Sequence, residues 1–129
     1  MRKISLILLI LLANILLTAC STSNSDASAK AVETYLNALV AKDADRLPTL
    51  VCGEWEDDAL IELDSFQAVD AKLDNAVCQQ TGTDGSASLV HCTGNIVLTY
   101  NGEDQNLDLS TRTYQVVQEG GDWLVCGTR

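Results

Sequence analysis

The hydrophobic pattern changes period near Leu73, and no other feature constrains the fold of this chain as much. Before that point apolar residues recur at helical spacing. After it, alternation and turn signals take over. Gly82-Thr83-Asp84-Gly85, Asn101-Gly102 and Gly120-Gly121 each sit between β-rich runs. The last two are strong two-residue hairpin signals. Three turns divide four strands. The expected fold is α+β, with N-terminal helices packed on one face of a four-stranded antiparallel meander.

The helical half has its own punctuation. Ser28 can cap a helix in which Val32, Tyr35, Leu36, Leu39 and Val40 follow the i, i+3, i+4, i+7, i+8 pattern. Asp43 or Asp45 offers a second cap before a short turn bearing Leu47, Leu50 and Val51, and Gly53 is a stop signal. A third stretch places Trp55, Ala59, Leu60 and Leu63 on one side, with Glu56, Asp57 and Asp58 in its first turn. Those acids complement the helix dipole. They lack the ordered D-x-D-x-[DN]-G spacing of a calcium loop, so the face reads as solvated, and no metal or cofactor is expected.

The hairpins predict a register. Leu98 pairs with Gln105 and Ile96 with Leu107 around one turn; Val117 pairs with Leu124 and Gln115 with Cys126 around the other. Alternate residues share a face. The expected core face carries Val90, Cys92, Ile96, Leu98, Tyr100, Leu107, Leu109, Val117, Leu124 and Cys126. Thr111, Thr113 and Gln115 then point toward the helices, where with Tyr100 they would line a wet cleft. The opposite face carries Tyr114, Val116, Trp123 and Val125, an exposed apolar patch suited to a dimer or another partner. A bulge near Arg112 would instead turn Tyr114 and Val116 inward.

Cysteine placement follows the same register. Cys78 and Cys92 fall nearly opposite each other across the first hairpin. Cys92 and Cys126 lie on strands separated by a third, roughly 9 to 10 Å apart, too far to bridge. Elimination leaves Cys78–Cys92 and Cys52–Cys126 as the expected disulfides, the second tying helices to the last strand. The short loop contributes about 3 kcal/mol and the long one about 4.5 kcal/mol in a chain-entropy model.

The fifth cysteine has a separate role. Arg2-Lys3 precedes an apolar run from Ile4 to Leu17, and Leu17-Thr18-Ala19-Cys20 closes it. This segment resembles the signal peptide and lipobox of bacterial lipoproteins. The resemblance implies cleavage before Cys20 and a diacylglycerol on its thiol, and hence a lipid-anchored, extracytoplasmic protein of the cell membrane or outer membrane. The run is shorter than the roughly 20 apolar residues of a spanning helix. The expected organisation is a leader over 1–19, a lipidated Cys20 with a flexible tether over 20–29, and a folded domain over 30–129. Loss of 1–19 leaves 110 residues, with 6 basic against 18 acidic and a formal charge of −12. Such a surface repels nucleic acid. The remaining four cysteines suit an oxidising compartment, and no CxxC or HxxxH pair favours zinc.

The helix Val-x-x-Tyr-Leu-x-Ala-Leu, the following Lys-Asp-Ala-Asp and the ending Tyr-x-Val-Val-x-x-x-Gly-x-Trp-x-Val are similar to the nuclear transport factor 2-like superfamily. That resemblance, over roughly 29–128, implies a curved, cystatin-like sheet wrapping a helix around a cleft. The group contains isomerases and dehydratases as well as binding and dimerisation modules, so fold does not decide function. Its enzymes commonly use an Asp–His pair, or a carboxylic acid with a tyrosine. Here the lone histidine, His91, faces away from the expected cleft, and no acid is assigned beside Tyr100. No catalytic residue is therefore expected. The reading is a non-enzymatic module for a small ligand or a protein. The alternatives are a small isomerase-type or dehydratase-type enzyme with Tyr100 as donor, or a structural homodimer.

Overall fold

The computed structural model describes residues 23–129; Cys20 and the apolar run before it lie outside the described residues. No helix among the described residues is long and apolar enough to cross a membrane. Helix α1 spans Asn24–Val40 and is capped by Ser23, whose side chain accepts from the Asp26 N–H. It starts earlier than the Ser28 cap expected from sequence, so Asn24–Ala29 belong to the helix and not to a tether. Ser28 is fully buried and works differently. Its hydroxyl bonds the Ser25 carbonyl and the Gln80 Oε1, each at 3.1 Å, pinning α1 to the first strand. The expected stripe is otherwise in place, with Val32, Tyr35, Leu36 and Leu39 at 0% exposure.

Lys42 ends the helix in a left-handed conformation. Asp43 then accepts from the Arg46 N–H at 3.1 Å in the connecting turn, whereas the helical turn it was expected to cap begins after Arg46 without a side-chain cap. A 3-10 turn over Leu47–Leu50 follows, and Val51 makes an isolated parallel bridge with Val125. Gly53 does not stop the chain. It opens a 3-10 turn, Gly53–Trp55, that leads directly into α2, Glu56–Ser65. Ala59 and Leu63 face the core, and the acidic first turn lies in solvent.

The sheet has five strands: β1 Asp70–Asp84, β2 Ala87–Tyr100, β3 Glu103–Asp108, β4 Thr113–Glu119 and β5 Asp122–Thr128. Strand β2 lies between β1 on one side and β3 and β4 on the other, and β5 flanks β4. Strands β3 and β4 were expected as one. A 3-10 turn at Leu109–Thr111, started by the Asp108 side chain accepting from the Ser110 N–H at 2.8 Å, divides them. β3 therefore runs along Asn95–Tyr100, and β4 along Ser88–His91.

That turn corrects the expected faces. Leu109 is buried, and the irregular residues after it shift the alternation by one position. Tyr114, Val116 and Val125 are consequently almost wholly buried, and no exposed patch is formed by them. Trp123 is half-buried against the same core. The inward turn that a bulge near Arg112 would produce is observed, but its cause is the 3-10 turn. A separate register shift leaves Cys126 unpaired in β5, so Gln115 pairs with Gly127 and not with Cys126. The pairs nearest the hairpins, Ile96–Leu107, Leu98–Gln105 and Val117–Leu124, stand as expected.

The β1–β2 ribbon breaks register between Asp74 and Val77. Opposite the break, Gly94 has φ +91°, and a Cβ there would fall on the backbone carbonyl of Asn75. Bulges of this kind bend a ribbon and raise its twist. Gly94→Ala should therefore cost about 2–3 kcal/mol in urea unfolding, combining left-handed strain with a backbone clash. An effect below about 0.5 kcal/mol would show that the ribbon relaxes freely there.

Candidate binding cleft

Glu62 leaves α2 on the side of Ala59 and Leu63, toward the helix–sheet junction, and collects two strong partners. Tyr35 of α1 donates its hydroxyl to Oε2 at 2.6 Å. Arg112, immediately after the 3-10 turn, donates through Nη1 to Oε1. One carboxylate thus joins α1, α2 and the start of β4. The ring of Tyr114 packs edge-on to Tyr35, with centroids 6.3 Å apart. The buried indole nitrogen of Trp55 lies near enough to the Tyr35 hydroxyl to counter part of that group's upward shift, but outside hydrogen-bond geometry.

The electrostatics follow from burial around one anion. Burial, then the charge and hydrogen bond of Glu62, pushes the Tyr35 hydroxyl far above the usual phenol range. Tyr114 is pushed up to about 12 by burial and then by Glu62, with Arg112 acting in the opposite direction. For Arg112, burial works against the charge, but the hydrogen bond and charge of Glu62 prevail and raise its pKa. Tyr35 is fully buried, and each Glu62 oxygen accepts one hydrogen bond, so the carboxylate is held from both sides.

Above the Glu62–Arg112 pair lies an open cleft of about 440 Å³, lined by Trp55, Asp58, Ile61, Ser65 and Thr128 as well as the pair itself. It borders solvent: 41% of the Arg112 side chain and 17% of Glu62 are accessible. Ile61 is 68% exposed on its rim. The volume is within the range of small-ligand sites.

The cleft expected from sequence is not formed. Tyr100 is 59% exposed at the far end of β2. Thr111 is exposed in the 3-10 turn, its hydroxyl donating to the Asp108 carbonyl at 2.8 Å. Thr113 and Gln115 lie half-buried on β4, on the side away from Tyr114 and Val116. The interior they were to line is filled by Tyr35, Tyr114 and Val116. His91 pairs with Gln79 and Thr113 on the outer side of the sheet, opposite to the face that carries Val90 and Cys92 inward.

Sequence reasoning did not single out Glu62 or Arg112 as partners. The available signal was the position of Glu62, three residues after Ala59 and just before Leu63, on the flank of an otherwise buried stripe.

The cysteines divide. Cys78 and Cys92 are directly paired and disulfide-bonded, with Cα atoms 4.1 Å apart. Cys52 and Cys126, expected to be bonded, are both free thiols in this structure. They are nonetheless neighbours: the Cys52 N–H donates to the Val125 carbonyl at 3.0 Å, one position past the Val51–Val125 bridge. Burial, then hydrogen bonding with Cys52, pushes the Cys126 thiol up to about 12.

No protein-family model and no curated protein matches this sequence. Among solved structures, the fold is similar to the solution structure of a SEC-C motif containing protein from Rhodopseudomonas palustris. The TM-score is 0.52 at 14% identity, covering 80% of this chain and 79% of that one. At that identity the likeness concerns the fold alone.

Replacing Glu62 tests the cluster directly. Glu62→Gln should lower stability by about 1–3 kcal/mol in urea, since it strands a partly buried guanidinium. It should also move the ultraviolet titration of the buried tyrosines downward. The linkage sign follows from Tyr114, whose folded pKa of about 12 exceeds the 10.0 of a free phenol. Its contribution to stability is complete below pH 10 and is lost as pH rises toward 12. The variant should lose less stability across that window than the parent; an equal loss would remove Glu62 as the cause.

Proposed function

We propose that this chain is a lipid-anchored lipoprotein of the cell envelope, held through Cys20, whose folded domain is a non-enzymatic binding module. The leader and Leu17-Thr18-Ala19-Cys20 support the anchor. The Cys78–Cys92 disulfide supports an oxidising compartment. The observation that carries the binding reading is the open cleft over the Glu62–Arg112 pair, the place where apolar and polar side chains meet beside solvent. A module of the nuclear transport factor 2-like kind remains our reading of the architecture, supported by its helices-then-sheet order. The enzyme alternative has less support, because the interior its substrate would occupy is packed with side chains. So has a homodimer through Tyr114, Val116, Trp123 and Val125, since all but the half-buried Trp123 lie inside the domain.

The anchor is tested by bacterial expression and mass spectrometry of the N-terminal peptide. The expected product begins at Cys20 and carries a diacylglycerol, and Cys20→Ala should leave the leader uncut and the acyl mass absent. An unmodified Cys20 in mature protein would remove the lipoprotein reading.

Cys52 and Cys126 belong to the same proposal as the second disulfide. The parallel bridge sets them side by side, and closing the bond would tie the segment before α2 to the bulge of β5. It would constrain a long loop and stabilise by up to about 4.5 kcal/mol. Peptide mapping of exported protein without reductant should recover a Cys52–Cys126 cross-link. Alkylation of both thiols without prior reduction would sink it.

A further inference from the structure

We infer that the Trp55 cleft docks a basic peptide segment in which a large apolar side chain neighbours lysine or arginine. The inference rests on the binding-module reading and adds the chemistry of the occupant. Two observations set that chemistry, one apolar and one electrostatic.

Trp55 and Ile61 form the apolar part of the cleft, and Ile61 is 68% exposed beside a cavity of about 440 Å³. A single exposed apolar residue needs no explanation, but one on the rim of a concave, half-apolar site offers a contact that burial would strengthen. Ser65 and Thr128 line the same cleft; the Ser65 hydroxyl donates to the Glu62 carbonyl at 2.6 Å and keeps acceptor capacity for a peptide N–H.

The charges select the sign of the occupant. Among the described residues Arg112 is the only basic one lining the cleft, and Glu62 already holds it. The Tyr114 hydroxyl also interacts with that guanidinium. Asp58 takes part in none of the ion pairs among the described residues, nor do Glu54, Glu56 and Asp57 around it. An anionic occupant would face Asp58 and Glu62 with no free cation to receive it. A neutral one would gain nothing from Asp58, which is exposed at the rim. A cationic group beside an apolar one meets both features, and the excess of 18 acidic over 8 basic residues in the whole chain raises its local concentration. A rim pair of this kind is screened over about 8 Å at physiological ionic strength, so binding must weaken with salt.

The test is fluorescence anisotropy with the full-length protein in non-ionic detergent and three labelled peptides. Each carries one central Phe in the same Gly-Ser frame, flanked by Lys, Gln or Glu on both sides. The Lys peptide should bind at least tenfold more tightly than the Gln peptide, and the Glu peptide should not bind. Asp58→Asn and Ile61→Ser should each weaken the Lys peptide about five- to tenfold, whereas Asp45→Asn, an exposed acid outside the cleft, should leave it unchanged. Circular dichroism confirms that each variant is folded. If the Gln or Glu peptide binds as tightly and is lost on Ile61→Ser, the cleft is a binding site and the basic class is wrong. If Lys-peptide binding is indifferent to Asp58→Asn and Ile61→Ser, the cleft is not where it docks and the inference falls. If none of the three binds, the inference falls and the binding-module reading loses its site.

Discussion

The Glu62 carboxylate is the tie on which the arrangement of this domain depends. Through Tyr35 it reaches α1, through its own backbone it belongs to α2, and through Arg112 it holds the point where the chain enters β4. Hydrophobic burial brings helices and sheet together but is not directional. Two charge-assisted hydrogen bonds on one carboxylate add direction, because both partners must arrive in a set geometry. A partly buried ion pair of this sort contributes modestly to net stability and more to the penalty for losing one partner. Its structural consequence is to fix where α2 sits over the sheet, and so where the cleft opens.

The second constraint is the 3-10 turn at Leu109–Thr111. A strand running uninterrupted from β3 through β4 would place Val117 and Leu124 in the core and Tyr114 outside. The turn moves the alternation by one residue and exchanges the faces. Tyr114 then meets Tyr35 edge-on, and Val116 and Val125 join the buried core beneath α1. The same shift brings Arg112 to Glu62. Filling the interior and building the surface cleft are thus two results of one backbone irregularity, which accounts for an accessible site at the edge of the domain and not within it.

Much of the framework was legible in the chain. The stripe of Val32, Tyr35, Leu36 and Leu39 marked the inner face of α1, since a helix repeats every 3.6 residues and those positions fall together. Asn101-Gly102 and Gly120-Gly121 marked hairpins because both turns require positive φ, which Asn101 and all three glycines adopt. Register was correct close to those turns and failed farther away, at the Cys126 bulge and beyond Asp108, where the two-residue alternation is interrupted. A one-residue slip reverses a strand's faces, so a single irregular turn was enough to misplace both the expected cleft and the expected interface.

The sequence by itself determined the class of the domain, its order of helices before strands, the hairpin positions and the Cys78–Cys92 cross-link. These are local facts: periodicity, turn chemistry and two cysteines opposite each other across one hairpin are set by neighbours along the chain. Tertiary structure alone decided which face of β4 and β5 is buried, that Val51 bridges Val125 in parallel, and that Glu62 meets both Tyr35 and Arg112. Those contacts join residues 27 to 74 positions apart, and nothing local specifies them. They form only when burial of the whole core selects, among registers of similar local quality, the one that leaves no buried charge without its partner.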